Sequence, residues 1–332
     1  MTDCAPLVLA HEQGLFEAAG LNVELHREAG WATVREKIYL GELDAAQAPA
    51  SMAFELSLGY SGLRRSCLTG FLTAHNGNAI TLSNELWNLG VRNGDDLLQL
   101  IRAEKGRRFT FAGVLQYSSQ NYLMRHWLLS HGIVPGKDVD LVIVPPPQVH
   151  ESLKNGYIDG YCVAEPWSSL GLLKKVGWCA TLTSDFAPMH PEKAFMVTRD
   201  FHDEDPERHL ALLSALHQAS VWCDEPHNRE QLADVLAHPH YVGVNRKVLT
   251  NALTGPFQTG RGSSIDASDA IVFHHGDANR PTLQKASWIL DQIDMHKLPG
   301  SQLRPTSEVT RQIFREDIYN ALLTNLTALP TP

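Results

Sequence analysis

The chain carries the stretch AHEQGLFEAAGLNVELH at residues 10–26 and continues with TVREKIYLGELDAA at residues 33–46. The same order of features returns in NYLMRHWLLSHGIVPGKDVDLVIV at residues 121–144 and VHESLKNGYIDGY at residues 149–161. Each copy predicts a helix closed by glycine, a strand (residues 22–26 in the first copy), a second helix, the motif Gly-x-x-Asp and a further strand. Two such units predict an α/β protein of two lobes that face each other across a cleft. The alternative is a single doubly wound sheet in which the two copies resemble each other by chance.

The chain length and two crossovers predict how the lobes are divided. A length of 332 residues exceeds what one hydrophobic core usually spans, which favours two domains. Residues 72–82, with Asn-Gly at a turn, are predicted to lead from the first lobe into the second, and residues 185–191 to lead back. The expected division is residues 1–81 plus 188–332 for lobe I and residues 82–187 for lobe II. Two crossovers lying close together would form a hinge that lets the lobes close on a ligand.

Composition and charge exclude several classes of function. The 28 basic and 37 acidic residues give a formal charge of −9, and no Lys/Arg stripe stands out, which argues against direct nucleic-acid binding. No apolar stretch approaches the roughly 18 residues that span a bilayer, so no membrane insertion is predicted. The net charge does not exclude a small anionic ligand, because a local cationic pocket can oppose the global sign.

Motifs of enzymes, metal sites and cofactor sites are missing from the sequence. The chain has no Gly-x-Gly-x-x-Gly after a strand, no phosphate-binding loop and no Gly-x-Ser-x-Gly motif. Its five cysteines are scattered, with no pair at Cys-x-x-Cys spacing. The pairs His238/His240 and His274/His275 have no acidic or cysteine partner at ligand spacing and are interpreted as surface or packing residues. We therefore expect a binding protein that is not an enzyme and that uses neither a metal nor an organic cofactor.

Residues at the ends of predicted strands are the candidate ligand-binding residues, because loops at the carboxyl ends of strands bind ligands in such lobes. Trp31 follows the strand predicted at residues 22–26 and either walls a pocket or packs in the core. Asn76, Gly77 and Asn78 either offer amide donors and close backbone approach at the hinge or form a plain turn.

The remaining candidates lie in the second lobe and at the second crossover. Gln120 stands at the start of a helix, where side chains and free backbone N–H groups either favour an anion or serve only as caps. Ala164 and Glu165 follow another strand, at a position that is also an ordinary helix start. Lys193 is the only lysine at a candidate lip of the cleft. One cation among neutral donors suits a small monovalent oxyanion, whereas a solvated surface lysine is the usual case.

At these residues the chain resembles the nitrate-binding branch of the periplasmic-binding-protein superfamily, which also contains bicarbonate- and sulfonate-binding relatives of ABC importers. The resemblance rests on six segments spread in order over residues 1 to 230. They are Thr2–Leu7, Gly30–Ala32 with Arg35, Asn76–Thr81, Cys162–Trp167, His190–Lys193 and Trp222–Asp224. The resemblance implies the two-lobed type II fold of that superfamily, with the ligand bound between the lobes.

The resemblance also implies roles for single residues. Trp31 corresponds to a tryptophan that walls the ligand, Asn78 to a polar amide in the Asn-Gly-x-Ala-Ile turn, and Lys193 to the lysine associated with nitrate. Gln120 departs from the family pattern, since nitrate binders usually have histidine there, and Ala164 stands where a glycine backbone donor is common. Glutamine can still donate an N–H group, and alanine keeps its backbone N–H. Nitrate or nitrite is therefore the expected ligand.

Three functions follow from the resemblance. No signal peptide is recognisable, and free cysteines are typical of a reducing compartment. Both features favour the cytoplasmic nitrate/nitrite sensors of the family, whose partner is an RNA-binding antiterminator. The alternative is the substrate-binding receptor of an ABC importer, which works with an ABC permease and would be periplasmic if the chain lacks an N-terminal signal. A second alternative is an enzyme similar to those of thiamin-pyrimidine biosynthesis on the same fold, with Cys162 as the candidate nucleophile.

Overall fold

The computed structural model describes residues 1–267, 269–298, 300–301 and 304–328, and the expected end of lobe I at residue 332 lies outside them. The β-strands of the described residues are β1 (Ala45–Pro49), β2 (Cys67–Asn76), β3 (Asn78–Ser83), β4 (Phe109–Gly113), β5 (Val139–Ile143), β6 (Gly160–Ala164), β7 (Gly177–Leu182), β8 (Pro191–Thr198), β9 (Phe257–Gln258), β10 (Ser264–Ile265) and β11 (Ile271–Val272).

Helices connect these strands and cover the sheets. The α-helices are α1 (Ala5–Glu12), α2 (Leu15–Ala18), α3 (Trp31–Leu40), α4 (Met52–Leu58), α5 (Asn84–Asn88), α6 (Gly94–Ala103), α7 (Ser119–Ser130), α8 (Val149–Lys154), α9 (Trp167–Leu173), α10 (Arg199–Glu204), α11 (Pro206–Asp224), α12 (Arg229–Leu236), α13 (Arg246–Leu253), α14 (Leu283–Met295), α15 (Ser307–Ile313) and α16 (Glu316–Ala328). A short 3₁₀ helix, Thr2–Cys4, precedes α1.

Two sheets of different strand order carry the fold. One has the order β1-β8-β2-β11 with antiparallel neighbours, and the other has the order β5-β4-β6-β3-β7. In the second sheet β4 runs parallel to β5 and β6, whereas β3 is antiparallel to β6 and β7. The chain passes from the first sheet to the second at Gly77 and returns between β7 and β8 across residues 183–190. The predicted α/β class is confirmed, and the separate sheets rule out the single doubly wound sheet.

The sheets also bear on where one lobe ends and the other begins. β3 starts at Asn78, so residues 78–81 pair within the five-stranded sheet although we expected them in lobe I. A part of the C-terminal segment reaches the same sheet, since the Cys179 N–H in β7 donates to the Thr259 carbonyl oxygen at 2.9 Å. The division of the chain into the two predicted residue ranges stays a prediction.

The strand predicted at residues 22–26 is wrong, because residues 21–28 form no regular secondary structure. Their side chains do alternate, with Val23 and Leu25 half-buried between exposed neighbours. Alternation selects the buried face, but a strand also needs a neighbour that shares its backbone hydrogen bonds. In the second copy of the repeat that neighbour exists, and the strand predicted at residues 140–144 forms β5 beside β4.

Helix boundaries follow the local signals in the sequence. α3 ends at Leu40 and is closed by Gly41, whose φ of 77° lies in the left-handed region that glycine adopts at low cost. α7 begins after Ser118, whose side chain accepts a hydrogen bond from Asn121 N. α11 begins at Pro206 behind an Asp205 cap. Within the described residues, no helix combines the length and the apolar character that crossing a bilayer requires.

Three of the four strands that meet at the two crossovers are buried along their whole length. This holds for β2, β3 and β8. Strands covered on both faces leave their polar side chains without access to bulk water, so those side chains must find partners inside the protein. The polar residues at the ends of β3 and β8 therefore have to pair with one another or with a ligand.

Gly177, at the start of β7, lies where no side chain fits. A Cβ atom there would lie 2.6 Å from the Leu82 carbonyl oxygen and 2.8 Å from Leu153 Cδ2. We expect Gly177→Ala to lower the free energy of unfolding by about 1–2 kcal/mol, because the backbone of a neighbouring strand must shift. Urea unfolding followed by tryptophan fluorescence measures the change. Gly106→Ala is the control, since a Cβ atom at Gly106 meets nothing within 4 Å; equal midpoints for the two variants would contradict the prediction.

Candidate functional site

A group of buried polar side chains lies where the chain crosses between the two sheets. Asn78 begins β3, Gln120 lies in the first turn of α7, and Glu192 and Lys193 are neighbours in β8. Each of these four residues is 2% exposed or less. The structure thus brings together three of the residues predicted from sequence, Asn78, Gln120 and Lys193, and adds Glu192 to them.

The carboxylate of Glu192 is the centre of this group. Its Oε2 atom accepts a hydrogen bond of 2.7 Å from Asn78 Nδ2 and another from Ser119 Oγ. Its Oε1 atom accepts hydrogen bonds from Gln120 Nε2 and Lys193 Nζ. Gln120 Nε2 also donates to Asn78 Oδ1 at 2.9 Å. Four donors therefore converge on one planar, negatively charged group.

Lys193 is held between two carboxylates. Its Nζ atom lies 2.9 Å from Asp3 Oδ2, contacts Glu192 Oε1, and is 5.2 Å from the centroid of the Trp31 ring. Burial lowers the pKa of Lys193, but the charges of Asp3 and Glu192 outweigh burial and raise this pKa above its ordinary value. The ammonium is therefore charged at neutral pH, and it is the one positive charge against the two negative charges of Asp3 and Glu192.

His190 orients the Asn78 amide. Its Nδ1 atom lies 2.7 Å from the Ala187 carbonyl oxygen, and its Nε2 atom lies 3.2 Å from Asn78 Nδ2. An N–H group on Nδ1 donates to the carbonyl, which leaves Nε2 to accept from Asn78. Burial lowers the pKa of His190 although Glu192 Oε2 is only 3.7 Å away, which favours this neutral ring.

The residues that share these hydrogen bonds are named together as the polar cluster. The polar cluster consists of Asn78, Ser119, Gln120, His190, Glu192 and Lys193.

Trp31 and Ala164 lie at the edge of the polar cluster. Trp31 is the first residue of α3, and its ring packs against two cores, one on the four-stranded sheet and one that contains Trp167. Within the described residues its Nε1 atom is buried and has no hydrogen-bond partner. Ala164 pairs with Asn78 across β6 and β3. Their positions suit a wall of the site, and their contact with a ligand stays a prediction.

Three other candidates shape the first crossover. Asn76 Nδ2 donates to a backbone carbonyl at 2.9 Å, and the Gly77 carbonyl accepts from Glu165 N at 2.8 Å. Glu165 Oε2 accepts from Ser169 N at 3.1 Å, and burial raises the pKa of Glu165 to about 7. None of the hydrogen bonds within the polar cluster involves Gly77 or Glu165. Asn76 contacts the cluster through its backbone, since its oxygen atom accepts from Asn78 Nδ2 at 3.4 Å and its N–H group donates to the His190 carbonyl oxygen at 3.2 Å. A role for these residues in binding a ligand stays a prediction.

Four residues of this group of contacts were not among the ligand-binding candidates from sequence. Ser119 adjoins Gln120, and His190 and Glu192 stand in the same segment as Lys193. Their proximity to a candidate in the sequence could therefore have indicated that they belong to the same site. Asp3 is adjacent to no candidate, and the signal for it was the segment Thr2–Leu7, which carries part of the resemblance. Its contact with Lys193 joins the first turn of the chain to β8.

Little free space surrounds the polar cluster. The narrow cavity beside it has no volume that a water molecule can occupy. Its lining includes Ser51, Ser119, Tyr122, Glu192 and Trp288. A larger hollow of about 430 Å³ lies at α15 and the start of α16, where mainly charged side chains line it. An anion can therefore reach the donors of the polar cluster only by replacing the hydrogen bonds that Glu192 now accepts.

The sequence of this chain is similar to those of known binding and transport proteins. The sequence profile of the NMT1-like family matches residues 1–237. Two Synechocystis proteins, the nitrate import ATP-binding protein NrtC and the bicarbonate transport ATP-binding protein CmpC, are each 35% identical over 88% and 87% of this chain. The chain spans 44% of the length of each of them. The nitrate/nitrite binding protein NrtA from Synechococcus elongatus is 31% identical over 96% of this chain and 74% of its own length.

A solved structure matches the whole fold. It is the periplasmic nitrate-binding protein NrtA from Synechocystis, which has a TM-score of 0.92 and 27% identity over 99% of this chain and 87% of its own. This match confirms the two-lobed periplasmic-binding-protein fold that was predicted from the sequence. Together with the sequence relatives, it also confirms the resemblance to nitrate-binding proteins.

Proposed function

This chain belongs to the NMT1-like family, and from that premise we propose that it binds a small oxyanion, nitrate or nitrite, in the cleft between its lobes. The observation that carries the proposal is the convergence of four donors on the Glu192 carboxylate. A carboxylate and nitrate are both planar and spread one negative charge over their oxygen atoms, so one set of donors suits both. Lys193 adds a charge-assisted hydrogen bond, the stronger kind in a shielded site.

Nitrate is favoured over bicarbonate by the direction of these hydrogen bonds. Asn78 Nδ2, Ser119 Oγ and Gln120 Nε2 all donate, and nitrate only accepts. Bicarbonate carries a hydroxyl group that needs an acceptor. Gln120 Oε1 has no partner within the described residues and could accept from it. Bicarbonate is therefore the competing ligand.

We propose further that the bound anion is delivered to an ABC importer. The relatives NrtC and CmpC are named as ATP-binding proteins of nitrate import and bicarbonate transport, and NrtA is named as a binding protein. These relatives include no regulatory sensor, so the expected antiterminator partner and cytoplasmic location gain no support from them. The NrtA of known structure is described as periplasmic, and a periplasmic location for this chain is part of the same proposal.

The enzyme alternative is disfavoured by the surroundings of Cys162. This residue lies in β6 and is fully buried. Burial raises the pKa of its thiol well above the ordinary value. Since the thiolate is the nucleophilic form, a thiol held neutral in this way does not suit covalent catalysis.

Titration calorimetry at pH 7 against nitrate, nitrite, bicarbonate and methanesulfonate tests the proposed function. We expect one nitrate per chain, bound at least about tenfold more tightly than methanesulfonate, because the methyl group of methanesulfonate cannot accept the hydrogen bonds that the donors of the polar cluster offer. Tighter binding of bicarbonate than of nitrate would overturn the choice of ligand. An absence of saturable binding for all four anions, in the parent and in a Glu192→Gln variant, would overturn the function.

A further inference from the structure

The donors of the polar cluster are already occupied by the chain itself. Glu192 accepts hydrogen bonds from Asn78, Ser119, Gln120 and Lys193. The adjoining cavity does not admit a water molecule. An oxyanion and the ionised Glu192 carboxylate therefore compete for the same hydrogen bonds and cannot both hold them.

The charges of the site strengthen this competition. Lys193 contributes one positive charge, and Asp3 and Glu192 contribute two negative charges, all of them buried. A monovalent anion entering next to these three groups would leave one positive charge against three negative ones. Buried charges without partners are costly, so the anion has to arrive with a compensating positive charge or displace a negative one.

Other titratable groups near Glu192 do not supply that compensation as they stand. The titratable groups on the elements that pack around Glu192 are His190 before β8, Lys193 in β8, Asp3 in the 3₁₀ helix, Cys162 in β6 and Tyr122 in α7. Two further neighbours, Asn78 in β3 and Trp288 in α14, do not titrate. Burial raises the pKa values of Cys162 and Tyr122 far above neutrality, so both are neutral. Burial also lowers the pKa of His190, which keeps its ring uncharged.

We propose that oxyanion binding takes up one proton from the solvent and that the Glu192 carboxyl group holds it. This inference rests on the proposed function and describes how the same site is regulated by pH. Proton and anion arrive together, so the net charge of the buried groups does not change. The protonated carboxyl group no longer competes for Lys193 Nζ, and its new O–H group can donate to the bound anion. The proton returns to the solvent when the anion leaves.

The environment of Glu192 explains why the proton goes there. Burial raises the pKa of Glu192, but the charge of Lys193 and the hydrogen bonds from Lys193 and Ser119 outweigh burial and hold this pKa below its ordinary value. An anion that takes over Lys193 Nζ and the other donors removes this support and adds a negative charge nearby. Both changes favour the neutral carboxyl group, so binding and protonation promote each other.

Calorimetry in two cationic buffers of different ionisation enthalpy, bis-Tris and Tris, measures the proton uptake. We expect about one proton per nitrate in the parent protein and a fall in affinity of about tenfold between pH 7 and pH 8. Glu192→Gln keeps the shape of the side chain but cannot ionise, so it should bind without proton uptake and with an affinity that is the same at both pH values. His190→Gln should keep the uptake of one proton, because the proton is held by Glu192.

The outcomes separate this inference from the proposed function. Nitrate binding without proton uptake by the parent protein overturns the inference and leaves the function standing. Proton uptake that survives in Glu192→Gln and is lost in His190→Gln also overturns it, because the proton would then reside on the histidine. No nitrate binding at pH 6 by either the parent or Glu192→Gln overturns both. The measurement on the parent protein needs no variant, so it decides the question even if a variant fails to fold.

Discussion

Lys193→Met should lower the free energy of unfolding by about 3–5 kcal/mol at pH 7, the range for breaking a buried ion pair by removing one partner. The methionine side chain fills nearly the same volume, so the loss reports charge and hydrogen bonding and not a cavity. It leaves the carboxylates of Asp3 and Glu192 buried without the ammonium that lies 2.9 Å from Asp3 Oδ2 and contacts Glu192. Urea unfolding followed by tryptophan fluorescence measures the change.

The pH dependence of this loss has a definite sign. The pKa of Lys193 is raised in the folded protein, so its contribution is complete below the ordinary lysine pKa and is lost only as the pH rises through the raised value. The pKa of Glu192 is lowered, so its contribution is present above the ordinary carboxyl pKa and is lost as the pH falls through the lowered value. Both contributions are therefore complete at pH 7. The difference between parent and variant should shrink at pH 4, where the carboxyl groups left without a partner accept protons.

Two further variants test the explanation. Lys154→Met is the matched control, because Lys154 is exposed and its contact with Glu151 spans 3.5 Å, so a change below about 0.5 kcal/mol is expected. Asp3→Asn in the Lys193→Met background should recover part of the stability, since it removes one of the two carboxylates left without a partner. If Lys193→Met were as stable as the control, the contacts of Lys193 with Asp3 and Glu192 would not stabilise the fold.

Features set by near neighbours in the sequence could be predicted. Gly41 closes α3 as expected because only the local backbone decides whether a left-handed residue is needed. The crossover at Gly77 was also predicted, since turn residues report on their own segment. Features that depend on contacts with residues far away in the sequence could not be predicted from local patterns. The alternation at residues 22–26 could not show that no strand lies beside it.

The polar cluster shows a second limit of sequence patterns. Neighbouring residues of a regular strand point to opposite faces, so a regular β8 would turn only one of Glu192 and Lys193 towards the polar cluster. In the structure both side chains reach the same group of donors and acceptors. The pairing of β2 with β8 shifts register between Leu72 and Ala74 and again between Ala74 and His75, beside these residues. Such irregularities change the direction in which side chains point, and no local sequence pattern predicts them.

Gln120→Leu should weaken nitrate binding by about 10- to 150-fold, which corresponds to about 1.5–3 kcal/mol for a hydrogen bond to a charged group. Gln120 is fully buried in the first turn of α7, and its Nε2 atom donates both to Glu192 Oε1 and to Asn78 Oδ1. Leucine has a similar volume but no donor. The variant therefore loses one of the four donors offered to the anion and also leaves the Asn78 amide without one of its hydrogen bonds.

Calorimetry with nitrate at pH 7 compares Gln120→Leu with Gln99→Leu, the same substitution at an exposed position of α6. The control should bind like the parent, because Gln99 lies outside the polar cluster. A parallel measurement in the Glu192→Gln background separates two causes of weak binding, since the lost donor acts there without competition from an ionised carboxylate. The loss of affinity should persist in that background. Equal affinities for Gln120→Leu and Gln99→Leu in both backgrounds would show that the anion binds without the amide of Gln120, and the convergence of donors on Glu192 would then not describe the ligand site.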